Sequence, residues 1–101
     1  MLVVLCTFPN AAKATEIARI VVSEQLAACV NLQEVTSIYS WKAELQNEVE
    51  TLAIIKTADE RFEALKKRIV ELHPYEVPEV IAMQVAGGHA PYLAWVADST
   101  R

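Results

Sequence analysis

The stretch from Ala28 to Trp41 reads as one continuous β-strand. Strands in globular proteins average about 5–6 residues, so a segment this long reaches past the body of any small domain that contains it. Its apolar residues begin on even positions, Val30 and Leu32, and continue on odd ones, Val35, Tyr39 and Trp41. One inserted residue flips every later side chain to the other face of a sheet, so the change of parity predicts a bulge or bend near Gln33-Glu34. Polar Lys42–Asn47 comes next as a turn that holds no glycine, which argues against a two-residue primed turn and for a longer loop. Glu48–Thr57 is the return strand, with its apolar density in Leu52–Ile55. Ile38, Tyr39 and Trp41 lie far along this hairpin, and exposed aromatics at such density mark a partner surface. Oligomerisation through the hairpin is the expectation.

The flanking sequence supplies the rest of a small two-layer domain. Leu2–Cys6 is a continuous apolar run, as in a covered strand, and Asn10 is a fair N-cap for a helix. Ala14, Ile17, Ala18 and Val21 recur at helical spacing, predicting an amphipathic helix to about Leu26. Beyond the hairpin, Thr57-x-x-Glu60 can form a capping box. Phe62, Leu65, Ile69 and Leu72 then mark the buried stripe of a second helix, which Pro74 ends. His73–Glu79 is an extended linker. Val80–Val85 is a fourth strand, Gly87-Gly88 a turn, and Pro91–Val96 a short helix with Tyr92, Trp95 and Val96 on its inner face. The order strand–helix–strand, twice over, predicts an α+β, ferredoxin-like βαββαβ sandwich, with both helices on one face and strands one and three central. Residues 1–101 form a single domain, as the length of 101 residues suggests.

Charge and composition narrow the function. The net charge is −4, and the basic residues are scattered apart from Lys66–Lys67–Arg68, read as a solvated helix face. Nucleic-acid binding, which needs a basic patch, is not expected. No run approaches the roughly 20 apolar residues of a membrane span, and the opening residues lack the basic region of a signal peptide. Two cysteines, Cys6 and Cys29, make neither a disulfide framework nor a zinc pattern. A reduced, cytoplasmic protein is the expectation.

Two constellations could carry chemistry. Cys6 ends the first strand and His73 closes the second helix; a soft thiolate with an imidazole suits copper or zinc. The alternative is a buried small hydrophobe and a helix-terminal histidine. The second set is Glu48, Lys56, His73, Tyr75, Glu76 and Glu79, near strand ends or in the linker, which would line a polar pocket if they converge. Lys56 otherwise snorkels from the sheet edge. Cys29 reads as core, and His89 as a surface or capping residue. Other chemistries of this architecture are missing their residues. The first loop, Cys6-Thr7-Phe8-Pro9-Asn10, has neither the second cysteine of a metallochaperone nor the arginine of an acylphosphatase-like phosphate cradle. The central strand Leu52–Ile55 lacks the aromatic and basic residues of an RNA-recognition domain.

Several segments fall in one order along the chain: Leu5-Cys6-Thr7, Leu26–Asn31, Thr36–Tyr39, Trp41, Ile55-Lys56-Thr57, Leu72–Glu79 and Tyr92-Leu93-x-Trp95. Together they resemble the CutA divalent-cation tolerance family across essentially the whole chain, with His73-Pro74-Tyr75-x-x-Pro78-Glu79 the most specific motif. The resemblance implies a homotrimer similar in assembly to the PII signalling proteins, with hairpin strands pairing between subunits. It implies a role in tolerance of copper and other divalent cations, with metal ligands at Cys6 and His73. It also implies an inter-subunit ligand cleft lined by Trp41, Glu48, Lys56, His73 and Tyr75. The family turn carries glycine after Trp-x, where this chain has Ala43. A metal- or small-ligand-binding signalling trimer, not a catalyst, is the leading expectation. An enzyme using the cleft carboxylates, or a trimeric anchor for another protein, are the competing ones.

Overall fold

The computed structural model describes residues Met1–Arg101. Strand β1 is Leu2–Phe8, helix α1 Ala11–Ser23, strand β2 Cys29–Trp41, strand β3 Glu44–Thr57, helix α2 Phe62–Leu72, strand β4 Ile81–Gln84 and helix α3 Ala90–Ser99, with a single 3₁₀ turn at Asp59–Arg61 before α2. The sheet order is β2-β3-β1-β4 and every pairing is antiparallel. This is the expected ferredoxin-like arrangement, with β1 and β3 central.

The helix layer derives from the apolar periods. Ala14, Ile17 and Val21 of α1 and Leu65 and Ile69 of α2 are buried against Val4, Cys6 and Phe8 of β1 and Ala53 and Ile55 of β3. The Asn10 side chain accepts the Lys13 backbone N–H at 2.8 Å, the N-cap that its position predicts. On the solvated face of α2, the Arg68 guanidinium grips the Glu24 carboxylate through two bonds of 2.9 Å, tying α2 to the end of α1.

Three local expectations are corrected. The β2–β3 pairing runs without a bulge, from Cys29 opposite Lys56 to Trp41 opposite Glu44. The parity change is a change of face: Val30 and Leu32 sit opposite buried Ile55 and Ala53 on the helix side, whereas Val35, Tyr39 and Trp41 lie on the other side. Beyond the helices the hairpin is apolar on both faces, since exposed Ile38, Leu45 and Val49 stay on the helix side. The turn is not a long loop either. Lys42 and Ala43 alone connect the strands, with φ of 52° and 65°, the sign pattern of a type I′ turn built without glycine. The capping box does not form, because the buried Thr57 hydroxyl donates to the Leu26 carbonyl at 2.7 Å and so joins β3 to the segment after α1. On α3 only Val96 is buried; Tyr92 and Trp95 pack on each other and remain largely exposed.

The side of the sheet away from α1 and α2 is apolar and largely uncovered in the single chain. Antiparallel register puts Leu5, Ile54 and Ile81 in one row across it, and Val3 with Met83 in the next. Ile81 and Met83 are about half exposed. β1 pairs with β3 only from Thr51 to Thr57, so Glu44–Glu50 has a neighbour on one side alone. The hairpin thus projects from the body, and the molecule measures 45 Å in its longest dimension against 25 and 21 Å in the others.

A non-glycine residue in the left-handed region costs roughly 1–2 kcal/mol. Ala43→Gly is therefore expected to stabilise the chain by about 0.5–1 kcal/mol after the entropy of the unfolded glycine is subtracted. Ala43→Val should destabilise it. Urea-unfolding midpoints at fixed protein concentration check both signs.

Candidate functional site

Where the hairpin projects, it forms a wall facing the linker that comes after α2. Thr7, Ser37, Tyr39, Trp41 and Glu50 from the sheet, with Pro74–Val77 and Glu79 from the linker, surround a cleft of about 650 Å³. The two-residue turn dictates the sheet side of it. Counting from Trp41 opposite Glu44, Glu48 pairs with Ser37 and Glu50 with Val35, so both carboxylates share a face with Tyr39 and Trp41. The Tyr39 hydroxyl donates to Glu48 at 3.2 Å, and the Tyr75 hydroxyl donates to Glu50 at 2.5 Å across the cleft. Glu50 is only 5% exposed. Both phenols are held above the usual tyrosine range, chiefly by desolvation and then by these carboxylates. At neutral pH they are hydrogen-bond donors, not bases.

The linker is anchored by His73. Pro74 cannot continue α2, so the chain turns out at His73, whose ring slides over Phe8 with centroids 4.8 Å apart and planes 21° apart. Nδ1 accepts the Tyr75 backbone N–H at 3.1 Å, and Nε2 lies 2.7 Å from the Thr7 carbonyl. A carbonyl only accepts and an amide N–H only donates, so the partners fix the proton on Nε2. Burial lowers the His73 pKa, with the Thr7 carbonyl and the Glu50 charge opposing.

These bonds bear directly on the Cys6–His73 pair. Neither ring nitrogen of His73 is free to take a metal. The Cys6 side chain is fully buried, and its thiol is pushed up to about 12, chiefly by burial and then by the charges of Glu79 and Glu50. Metals bind the thiolate. In the folded chain the Cys6 thiol keeps its proton in the core and both ring nitrogens of neutral His73 are held in hydrogen bonds, so the pair does not fit a metal ion. No three His, Cys, Asp or Glu side chains of one chain converge closely enough to hold one.

The remaining predicted residues divide. Trp41 and Tyr75 line the cleft, with Glu76 and Glu79 beside them, and Glu48 stands behind Tyr39. Lys56 does not join them within one chain. It lies eight residues beyond Glu48 on β3, roughly 26 Å at about 3.3 Å per residue, and its ammonium bonds the Asn31 side chain at the far end of the sheet. Cys29 is partly exposed near that end. His89 is exposed at the start of α3 and makes no side-chain cap bond. Sequence reasoning passed over Glu50, whose signal was the turn length: a two-residue turn sets its face, and a longer loop hides it.

The family model for the CutA1 divalent ion tolerance protein matches residues 2–99. This chain belongs to the CutA1 family. It is 44% identical over 99 residues to the divalent-cation tolerance protein CutA of Thermus thermophilus, covering 97% of this chain and 96% of that one. It is 50% identical over 95 residues to the human protein CutA, covering 93% of this chain but only 53% of that longer protein. Among solved structures, CutA1 from Pyrococcus horikoshii superposes with a TM-score of 0.97 at 37% identity, covering 100% of this chain and 99% of that one. The PII-like protein CutA from Nostoc sp. PCC 7120, in apo form, gives 0.95 at 40% identity over 100% and 98% of the chains. The ferredoxin-like fold and the relation to divalent-cation tolerance therefore stand. No helix is long and apolar enough to cross a membrane. CutA relatives carry different addresses in their names, chloroplastic for the rice protein and periplasmic for the Archaeoglobus fulgidus structure.

A histidine whose folded pKa is depressed binds protons less readily than in the unfolded chain. Its contribution to stability is complete above the unfolded value of 6.5 and is lost as pH falls toward the folded one. Stability should therefore drop from about pH 7 to about pH 5 in the wild type and drop less steeply in His73→Gln, whose baseline is lower. Urea midpoints across that range, at one protein concentration, give the two slopes. Parallel slopes would remove His73 as the acid-sensitive group.

Proposed function

We propose that this chain acts in divalent-cation tolerance as a homotrimeric, ligand-responsive module in the cytoplasm, and that it binds rather than catalyses. The observation that carries this reading is the cleft's position. It opens where the uncovered apolar face of the sheet meets the projecting hairpin. Burying Leu5, Ile54, Ile81 and Met83 against other copies removes apolar surface from water at about 25 cal/mol per Å². The free backbone of Glu44–Glu50 offers a partner strand its hydrogen bonds. A trimer is the assembly that membership of this family brings forward, and it would place the cleft at the seam between subunits. Lys56, remote within one chain, could reach that cleft only from a neighbouring copy.

Binding is favoured over catalysis by the state of the cleft's polar groups. Tyr39 and Tyr75 are protonated and spoken for by Glu48 and Glu50, and the Cys6 thiol is buried and inert as a nucleophile. Copper remains the ion proposed for the tolerance role, but Cys6 and His73 would contribute to its capture only after the hydrogen bonds of His73 are broken. His73 acts in the resting fold by holding the linker in place.

Light scattering on the eluting protein should give three times the 11.2 kDa chain mass at micromolar concentration. Ile54→Glu, which sets a charge in the middle of the apolar face, should shift it toward monomer. A wild-type monomer would undo the assembly. Calorimetric titration of Cu²⁺ at neutral pH should give the same heats for wild type and His73→Ala. Stoichiometric uptake by the wild type that vanishes in the variant would restore the Cys6–His73 site.

A further inference from the structure

Helix α3 lacks the surface that a solvent-facing helix needs. Of its residues Ala90–Ser99, only Asp98 is charged. By contrast, α1 carries Lys13, Glu16 and Arg19, and α2 carries Glu63, Lys66, Lys67, Arg68 and Glu71. Val96 is the one buried residue of α3, so its other apolar side chains lie outside: Tyr92 and Trp95 are exposed, with Ala94 and Ala97 beside them. The two rings are three residues apart on the helix and pack on each other with centroids 5.7 Å apart. Single exposed apolar side chains need no explanation, but an uncharged stripe with two large aromatics does. A helix that is apolar on both faces is a covered helix.

The projecting hairpin presents a surface of the same kind. On its helix side, which α1 and α2 leave bare, β2 contributes Thr36, Ile38 and Ser40 and β3 contributes Leu45, Asn47 and Val49, without a charge. Leu45 is 79% exposed, Ile38 67% and Val49 60%. The opposite side of the same ribbon carries Glu44, Glu48 and Glu50, and an apolar helix laid there would strip carboxylates of water. The two uncharged surfaces cannot meet within one chain. Leu93 and Val96 of α3 line one pocket with Ala58 and Asp59, just past the end of β3. Leu45 lies twelve residues back along that strand from Thr57, roughly 40 Å at about 3.3 Å per residue.

We propose that α3 of one copy docks on the helix side of another copy's hairpin, with Tyr92 and Trp95 covering Ile38, Leu45 and Val49. This rests on the reading of the chain as a trimer and adds to it a contact separate from the apolar side of the sheet. The occupant is a second copy because every chain carries both halves of the contact, each uncharged where the other is. The contact joins two different surfaces, so each copy offers one of each to two neighbours. Such a contact ends either in a closed ring or in an open filament, and a ring of three leaves none of these surfaces bare. The hairpin then has a task on each side. One side carries the cleft wall of Tyr39 and Trp41, and the other seats the neighbour's α3, which holds that wall in position.

Light scattering and cross-linking on the full-length protein test this. Trp95→Lys and Leu45→Lys put a charge on either half of the contact. Each should raise the concentration at which the assembly half-dissociates by at least about tenfold. Val70→Lys, at a half-exposed apolar residue of α2, should leave that concentration unchanged. In a Cys29→Ser background, Asn47→Cys on the hairpin and Ala94→Cys on α3 are both exposed. A short bismaleimide should join them into covalent dimers and trimers, whereas either cysteine alone should give monomer. The span of one chain forbids the link within a copy, and the cross-link does not depend on the lysine variants folding. Assembled protein that yields no cross-linked species would overturn the contact and leave the trimer standing. So would an assembly that resists both lysine variants while Ile54→Glu disperses it. A monomeric wild type would overturn both.

Discussion

The unbroken register between β2 and β3 is the constraint on which the rest of the molecule depends. Two strands of 13 and 14 residues pair from the sheet's far end to the hairpin tip with no residue skipped. Side chains in a strand alternate faces, so a slip of one would send Tyr39, Trp41, Glu48 and Glu50 to the helix side together. The cleft would lose one whole wall. The two-residue turn enforces this register, and the left-handed conformation of Lys42 and Ala43 is the local cost of enforcing it. Projection beyond β1 has the same origin: strands this long outrun their neighbours, leaving both a free edge and a wall in one stroke.

The second wall is fixed by a different kind of interaction. The linker has no regular hydrogen-bond ladder, so its position rests on a few directional bonds. His73 supplies two, one from each ring nitrogen, and Tyr75 supplies a third to Glu50. Stacking on Phe8 ties this cluster to the core. Because His73 must remain neutral to accept the Tyr75 amide, the same burial that lowers its pKa also keeps the linker seated. A residue that looks like a ligand in the sequence acts as a positioning residue in the fold, and the closed hydrogen bonds are the reason.

What the sequence disclosed and what it hid divide along the range of the interactions. Helical spacing at Ala14, Ile17 and Val21 and at Leu65 and Ile69 located both helices and their buried faces, because burial of a stripe is a local pattern. The central position of β1 and β3 came from chain order and handedness. The parity shift in β2 was visible but ambiguous, since an inserted residue and a change of covered face leave the same trace. The turn misled because glycine is favoured, not required, at positive φ. Thr57 had two possible acceptors, and the long-range one, Leu26, won. Lys56 and the Cys6–His73 pair stood out by residue type and were reinforced by the family resemblance; within a single chain, distance along β3 separates the first from the cleft and hydrogen bonding closes the second.

The two walls differ in how firmly they are held. The hairpin's own long ladder keeps it straight, yet nothing in one chain fixes its outer edge, and its exposed Ile38, Leu45 and Val49 await cover. The linker is clamped to the core through His73. A guest that touched both walls would add a contact between the projecting hairpin and the body of the domain. By linkage, any such guest that binds the seated arrangement more tightly must favour that arrangement, and seating the hairpin in an assembly must favour the guest to the same degree. The weak bridge from Lys42 to Glu76 shows the size of coupling available without a guest: one exposed ion pair, worth at most about 1 kcal/mol. In the proposed trimer, a ligand filling the cleft would make a larger contact between the same two walls, and its occupancy and the assembly would report on one another.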